Sequence, residues 1–263
     1  MARWVRLGMV QFVPERWNVE GNFRRLLSIL GATPPGTLDL VVTPECILDG
    51  YTAALAPNDR TGWNERERWL RECALERSGQ VLGDIGGEAR RLGSYIVAGY
   101  TERLGDGRAA NAASVFDREG ELVATYHKTH LQNHDLQFER GKSWTVIEAD
   151  FGRFGVMICA DRRWPEAVRC QRLLGAEMLA NPTYGMHKDL NLAMMRTRAF
   201  ENNFFIAFTH PRQSLVTGPG GEVEVDVRDR NDTLVLHRLD LDRINLSHIR
   251  DRRTDLYRGC LQD

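Results

Sequence analysis

The feature that most narrows the fold is a recurring unit in which a short apolar run stops at a polar residue and gives way to a helical pattern. The runs are WVRLGMVQF over 4–12, LDLVVT over 38–43, YIVAGY over 95–100, FGVMIC over 154–159 and FFIAFT over 204–209. Runs of this length, rich in Val, Ile and aromatic residues, read as strands, and LDLVVT reads as a buried one. A further short strand ends at Leu179-Ala180. Between the runs, Asn18 is placed to cap a helix through Leu30, and 63–92 suggests two helices broken near Ser78-Gly79. Pro165 opens a helix that Gly175 closes. Leu190 to Asn203 forms another, with an apolar stripe through Ala193, Met194, Thr197 and Phe200.

Turn chemistry joins the remaining segments. Asn111 to Phe116 and Leu122 to Tyr126 flank Asp117-Arg118-Glu119-Gly120, which suits a hairpin. Hairpin-like segments also surround Gly218-Pro219-Gly220-Gly221 and Asn231-Asp232. Strands, hairpins and helices mixed in this way predict an α/β protein, with one mixed sheet or two stacked sheets and helices outside. One domain is expected over residues 1–263, with about 240–263, polar and Arg/Asp-rich, as a C-terminal arm or tail.

Lys and Arg number 35 against 36 Asp and Glu, a net charge of −1, so no global field favours nucleic acid or an anionic membrane. A small-molecule substrate is the expected partner. No stretch approaches the roughly 20 apolar residues that cross a bilayer, and the first residues lack a signal-peptide pattern, so the cytoplasm is expected. The cysteines at 46, 73, 159, 170 and 260 are odd in number and widely spaced, which argues against a disulfide framework or a structural zinc site. His127, His130 and His134 fall on a strand and loop rather than on one helix face, so no metal or other cofactor is expected.

Glu45, Lys128 and Cys159 share one context: each follows an apolar strand run, LVVTP, LVATYH and FGVMI respectively. Strand ends in α/β architectures converge on rims where ligands bind. A carboxylate can take a thiol proton, the thiolate is the reactive form of cysteine, and a lysine can stabilise both the thiolate and an oxyanion. Taken alone, a cysteine at a strand end is usually a packed hydrophobe, the reading kept for Cys46, Cys73, Cys170 and Cys260. Lys128 alone would read as a surface hairpin lysine. Glu45 follows a wholly apolar strand, where an unpaired carboxylate is costly.

In order, the blocks Val42-Thr43-Pro44-Glu45 with Gly50-Tyr51, Tyr126-His127-Lys128-Thr129-His130-Leu131, and Met157-Ile158-Cys159-Ala160-Asp161-Arg162-Arg163-Trp164-Pro165-Glu166 resemble the nitrilase, or carbon-nitrogen hydrolase, superfamily. Asn111, the Gly120 turn, Asn181-Pro182 and RTRAFENN with its following FFIAF also match, so the resemblance spans about Val5 to Leu236. It implies a four-layer αββα sandwich of two stacked mixed sheets, with homodimers or larger homo-oligomers. It implies Cys159 as the nucleophile of a thioester mechanism, Glu45 as general base and Lys128 as oxyanion stabiliser, with the backbone N–H of Ala160 as second oxyanion donor.

The run CADRRWPE is most similar to N-carbamoyl-D-amino acid amidohydrolases and departs from the CWEN run of true nitrilases. Adjacent arginines suit a substrate carboxylate, so Arg162 and Arg163 are the expected recognition residues. The competing reading makes one of them a structural ion pair with Asp161 or Glu166. Tyr51, either core or pocket wall, joins His130 and Asn181 as further expected substrate contacts. The chain departs from the family where a second glutamate is usual: counting back from Gly141 puts His134 there, with Asp135 beside it. Either His134 supplies the orienting bonds, or a shifted loop brings in Asp135 or Glu139, or the site is weakened. The segment 181–190 is also shorter than a carbamoylase leads one to expect. The reading is an amidohydrolase of a small carbamoyl or amide compound bearing a carboxylate. Its alternatives are an aliphatic or ω-amidase, a silent scaffold, and a Cys–His peptide hydrolase.

Overall fold

A computed structural model of the chain describes residues 2–51, 68–69, 71–105, 107–186 and 189–257. The first sheet orders its strands β12 (Thr233–Asp240), β1 (Trp4–Gln11), β2 (Leu40–Val42), β3 (Tyr95–Arg103), β4 (Ala109–Phe116) and β5 (Leu122–His127). β1, β2 and β3 run parallel, and β12, β4 and β5 add antiparallel edges. The second sheet orders β11 (Val223–Arg228), β10 (Gln213–Thr217), β9 (Phe205–His210), β8 (Met178–Pro182), β7 (Gly152–Val156) and β6 (Thr145–Ala149). Its parallel centre is β7, β8 and β9. The two mixed sheets stack with helices outside, which is the αββα sandwich.

The apolar runs have no polar face because both sides of each central strand are covered. Leu40 and Val42 face the other sheet, meeting Val156, Met178 and Ala180, whereas Val41 faces the helices. Those helices are α1 (Val19–Gly31), capped by Asn18 Oδ1 accepting from Gly21 N–H, and α2 (Gln80–Leu92), which starts at Gly79. Over the second sheet lie α3 (Pro165–Leu173) and α4 (Asp189–Asn202). Most of the first helix expected within 63–92 falls outside the described residues.

Two expectations are corrected, and one strand went unread. Of the stripe of Ala193, Met194, Thr197 and Phe200 only Met194 packs against the core: α4 buries Asn191, Met195, Ala199 and Asn202 and turns Ala193, Thr197 and Phe200 outward. Asn231-Asp232 is no hairpin, because β11 and β12 belong to different sheets and the turn carries the chain between them. β6, an edge strand of half-buried residues, carries too weak an apolar signal to be read. Beyond β12, Leu241 is buried and two short helices follow, α5 (Ser247–Arg250) and α6 (Thr254–Tyr257).

Candidate active site

Cys159 stands three residues past β7, at the start of a 3-10 turn, Cys159–Arg163. Its φ of 45° lies in the left-handed region, a strained position for a side-chain-bearing residue and one that recurs at nucleophile turns. The residue is 7% exposed, and a Cβ placed on exposed Gly185 would stand 3.6 Å from Sγ. Burial pushes the thiol above its ordinary value and the Glu45 carboxylate adds to this. Lys128, Arg162 and the Tyr184 N–H pull the other way without cancelling it. The resting group is therefore a thiol that needs a base.

Glu45 lies in the loop after β2, which crosses directly over β3. A Cβ at Gly99 would overlap the Pro44 carbonyl, so only glycine admits this loop, and Thr43 Oγ1 accepts from Gly99 N–H at 2.8 Å. The Glu45 side chain is fully buried. Its Oε1 accepts from Lys128 Nζ at 2.9 Å and Asn111 Nδ2 at 2.7 Å, and its Oε2 from Tyr184 N–H at 2.8 Å.

Lys128 directly follows β5, and Gly141 closes the next loop on it, donating to the Lys128 carbonyl at 2.9 Å. The ammonium donates to Glu45 Oε1, to Asp135 Oδ2 at 2.7 Å and to Tyr51 Oη at 3.3 Å, which engages all three of its N–H bonds. Burial alone would lower its pKa, but Glu45, the Cys159 sulfur and Asp135 outweigh that and hold it above the ordinary lysine range.

Asp135 ends a 3-10 turn, Asn133–Asp135, that points it inward and fully buries it. Its Oδ2 also accepts from Gln132 N–H at 3.1 Å, and Tyr51 donates to Oδ1. His134, half exposed, stands edge-on to the Tyr51 ring and comes no nearer than 3.9 Å to Asp135, and Glu139 pairs with Arg108 instead of entering the site. Of the three residues offered for the place of the usual second glutamate, the structure brings Asp135 to Lys128. The shift of one position follows from the tight turn.

Arg162 is fully buried, with Nη1 3.5 Å from Cys159 Sγ, Nε donating to Asn191 Oδ1 at 3.0 Å and Nη2 to the Gly185 carbonyl at 3.0 Å. Arg163 is not brought to the thiol: it is exposed, lies over the Trp164 ring and donates to Gln132 Oε1. Neither arginine pairs with Asp161 or Glu166 among the described residues. Asn181 is buried and donates to the Met157 carbonyl at 3.1 Å, so it supports the nucleophile turn. Ala160 lies in the first turn of the 3-10 segment, where backbone N–H groups lack partners within the helix.

His130 stacks on Trp164 at 4.2 Å, and its Nδ1 lies 2.8 Å from Asp161 Oδ1. Residues that sequence reasoning did not single out complete the site. Tyr184 and Gly185 act through backbone, which leaves no side-chain signal, and Asn191 is a polar residue on the buried face of α4. Among the described residues, no cluster of His, Cys, Asp or Glu is arranged to hold a metal ion, and no helix is long and apolar enough to cross a membrane.

A model of the carbon-nitrogen hydrolase family matches residues 6–248 of the chain. A protein named "Hydrolase in pqqF 5'region" from Pseudomonas protegens is 29% identical, over 97% of this chain and 92% of its own. The omega-amidase NIT2 of Xenopus tropicalis is 25% identical over 98% of each. Among solved structures, Saccharomyces cerevisiae Nit3, of the nitrilase superfamily, superposes with a TM-score of 0.80 at 19% identity over 97% of each chain. An amidase from Nesterenkonia sp. superposes with a TM-score of 0.80 at 20% identity, over 99% of this chain and 97% of that one. At these identities the two structures speak to the fold.

Proposed function

Because the chain belongs to the carbon-nitrogen hydrolase family, whose members hydrolyse non-peptide C–N bonds, we propose that it uses Cys159, Glu45 and Lys128 on a small amide or carbamoyl compound bearing a carboxylate. Cys159 Sγ attacks the carbonyl carbon as Glu45 takes the thiol proton. Lys128 Nζ turns the N–H of its longest bond, the one to Tyr51 Oη at 3.3 Å, to the oxyanion, which the Ala160 N–H also holds. The intermediate collapses to a thioester, and the departing amine takes the proton from Glu45. Water then attacks the thioester, again giving a proton to Glu45, which returns it to the leaving sulfur.

The observation that carries the substrate class is Arg162. A guanidinium has five donors, and Arg162 spends three on a sulfur, an amide oxygen and a backbone carbonyl. Among the described residues no carboxylate pairs with it, although buried charges ordinarily find counterions. A substrate carboxylate supplies one beside the nucleophile. N-carbamoyl amino acids and ω-amides both carry that group, and the omega-amidases among the relatives favour the second reading.

Cys46, Cys159 and Cys170 carry free thiols, which suits the reducing cytoplasm. The outward apolar stripe of α4 suits contact with a second copy of the chain.

The test is a panel of N-carbamoyl amino acids, ω-amides of dicarboxylates and neutral aliphatic amides, with intact-mass detection of acyl-Cys159. Adducts from carboxylate-bearing members, lost in Cys159→Ala, are expected. Arg162→Met should cost about 100-fold in kcat/KM on those substrates and far less on neutral amides. Turnover in Cys159→Ala would sink the nucleophile. Equal loss on neutral and acidic substrates in Arg162→Met would remove the carboxylate.

A further inference from the structure

Asp161 is fully buried, and both of its oxygens are saturated by groups that flank the reacting residues. Oδ1 accepts from Thr129 Oγ1 at 2.8 Å and His130 N–H at 2.9 Å, with His130 Nδ1 also at 2.8 Å. Oδ2 accepts from Tyr126 Oη at 2.8 Å and Ile158 N–H at 3.0 Å. Tyr126, Thr129 and His130 bracket Lys128 at the end of β5 in the first sheet. Ile158 and Asp161 itself bracket Cys159 beyond β7 in the second. Lys128 and Cys159 thus come from different sheets, and one carboxylate ties the backbone beside each to the other.

No lysine or arginine pairs with Asp161 among the described residues. A buried carboxylate held by hydroxyl, backbone N–H and imidazole groups contributes little net stability, because desolvation offsets much of what the bonds return. Such a group is better suited to fixing geometry than to holding the fold. Misplacement of a reacting group by about 1 Å costs about 100-fold in rate.

We propose that Asp161 is a positioning residue that sets the distance between Lys128 and the Cys159 sulfur, acting as a bolt across the two sheets. It touches no substrate. This rests on the roles given above to Cys159 and Lys128, so the test includes a variant of Lys128.

The experiment follows alkylation of Cys159 by iodoacetamide against pH, read by mass spectrometry on the full chain. Asp161→Asn keeps size and removes the charge, Thr129→Val removes one donor from outside the core, and thermal melting reports folding. In Asp161→Asn the alkylation midpoint should rise by about one pH unit or more, because the thiolate loses its well-placed cation. Thr129→Val should move it the same way by less. Steady-state kcat should fall about 100-fold in Asp161→Asn with KM nearly unchanged.

Introduced into Lys128→Met, the Asp161→Asn change should add little to the midpoint shift, since it acts through Lys128. An unchanged midpoint in both Asp161→Asn and Thr129→Val overturns the proposal, as does a full additional shift in the Lys128→Met background. If Asp161→Asn does not fold, Thr129→Val decides. If Lys128→Met leaves the midpoint where it was, the role given to Lys128 fails first, and the bolt with it.

Discussion

Asp135 Oδ2 lies 2.7 Å from Lys128 Nζ, and Tyr51 donates to the other oxygen of the same carboxylate. Lys128 therefore sits between two fully buried carboxylates, Glu45 and Asp135, with Tyr51 completing its shell. The arrangement leaves Glu45 to share the ammonium while Asp135 keeps it in place. Removing Asp135 leaves the lysine one counterion short and free to swing towards Glu45.

Asp135→Ala should accordingly cost about 3 kcal/mol of stability, by melting or denaturant titration, because a buried charge is left poorly compensated. Asp135→Asn should fold better yet lose about 10- to 100-fold in kcat. His134→Ala, at a half-exposed side chain, should be nearly silent in both measurements. A His134→Ala variant as damaged as Asp135→Asn would return the supporting role to the histidine.

The Asp135 case shows where reading the chain stops. Glu45 and Cys159 each follow a buried apolar run, so burial beside a reactive group is written into neighbouring residues, whereas Lys128 follows the partly exposed β5 and is marked only by its place in the ordered blocks. Which of His134, Asp135 and Glu139 turns inward depends on a three-residue 3-10 turn, and a one-residue offset there exchanges a solvent position for a buried one. Helix α4 shows a different loss. Periodicity marks where apolar residues line up, but not what covers them. Its buried face holds Asn191 and Asn202 because these polar groups find partners in Arg162 and the Arg198 carbonyl.

The two arginines after the nucleophile should separate cleanly. Arg163→Ala should change kcat/KM by less than about threefold on every panel member, since its guanidinium meets Gln132 and Trp164 on the surface. Arg162→Lys should lose much of the selectivity for acidic substrates, because an ammonium cannot reproduce the fork that holds Asn191, Gly185 and the thiol together. Steady-state kinetics on one acidic and one neutral substrate check both. A large Arg163→Ala effect restricted to the acidic substrate would move recognition to the pocket mouth.

Acid should weaken the fold partly through His210. Its Nδ1 accepts from Arg212 N–H at 3.0 Å, so the ring is neutral. Burial, with nearby Arg162 adding to it, pushes the imidazole down to about 4 despite a bond with the Tyr184 backbone. Between about 6.5, the ordinary value, and about 4, the unfolded chain binds a proton that the folded one refuses. The stability is therefore complete above this window and falls as pH drops through it, by up to about 3 kcal/mol. His210→Gln should flatten the melting temperature between pH 7 and pH 4.5 relative to the parent. Parallel curves for the two proteins would show that His210 does not titrate as its burial requires.

The outward face of α4 yields the last expectation. Leu190 is 72% exposed and Phe200 52%, with Ala193 and Thr197 exposed between them at helical spacing. Beside them Arg196, Gly220 and Gly221 help to line a groove of about 430 Å³. Contiguous apolar surface of this kind on a helix marks a contact surface more often than a solvated one. Phe200 is the largest apolar side chain in the stripe, and a central buried aromatic typically carries about 2 kcal/mol or more of an interface. Sedimentation of the parent chain at micromolar concentration should show a dimer or larger species. Phe200→Glu should weaken that association by about 30-fold or more while leaving the melting transition of the protomer near its parent value, because the side chain contributes little to the protomer's own core. A parent chain that sediments as a monomer, or a Phe200→Glu variant that associates as tightly as the parent, would take the second copy off this face.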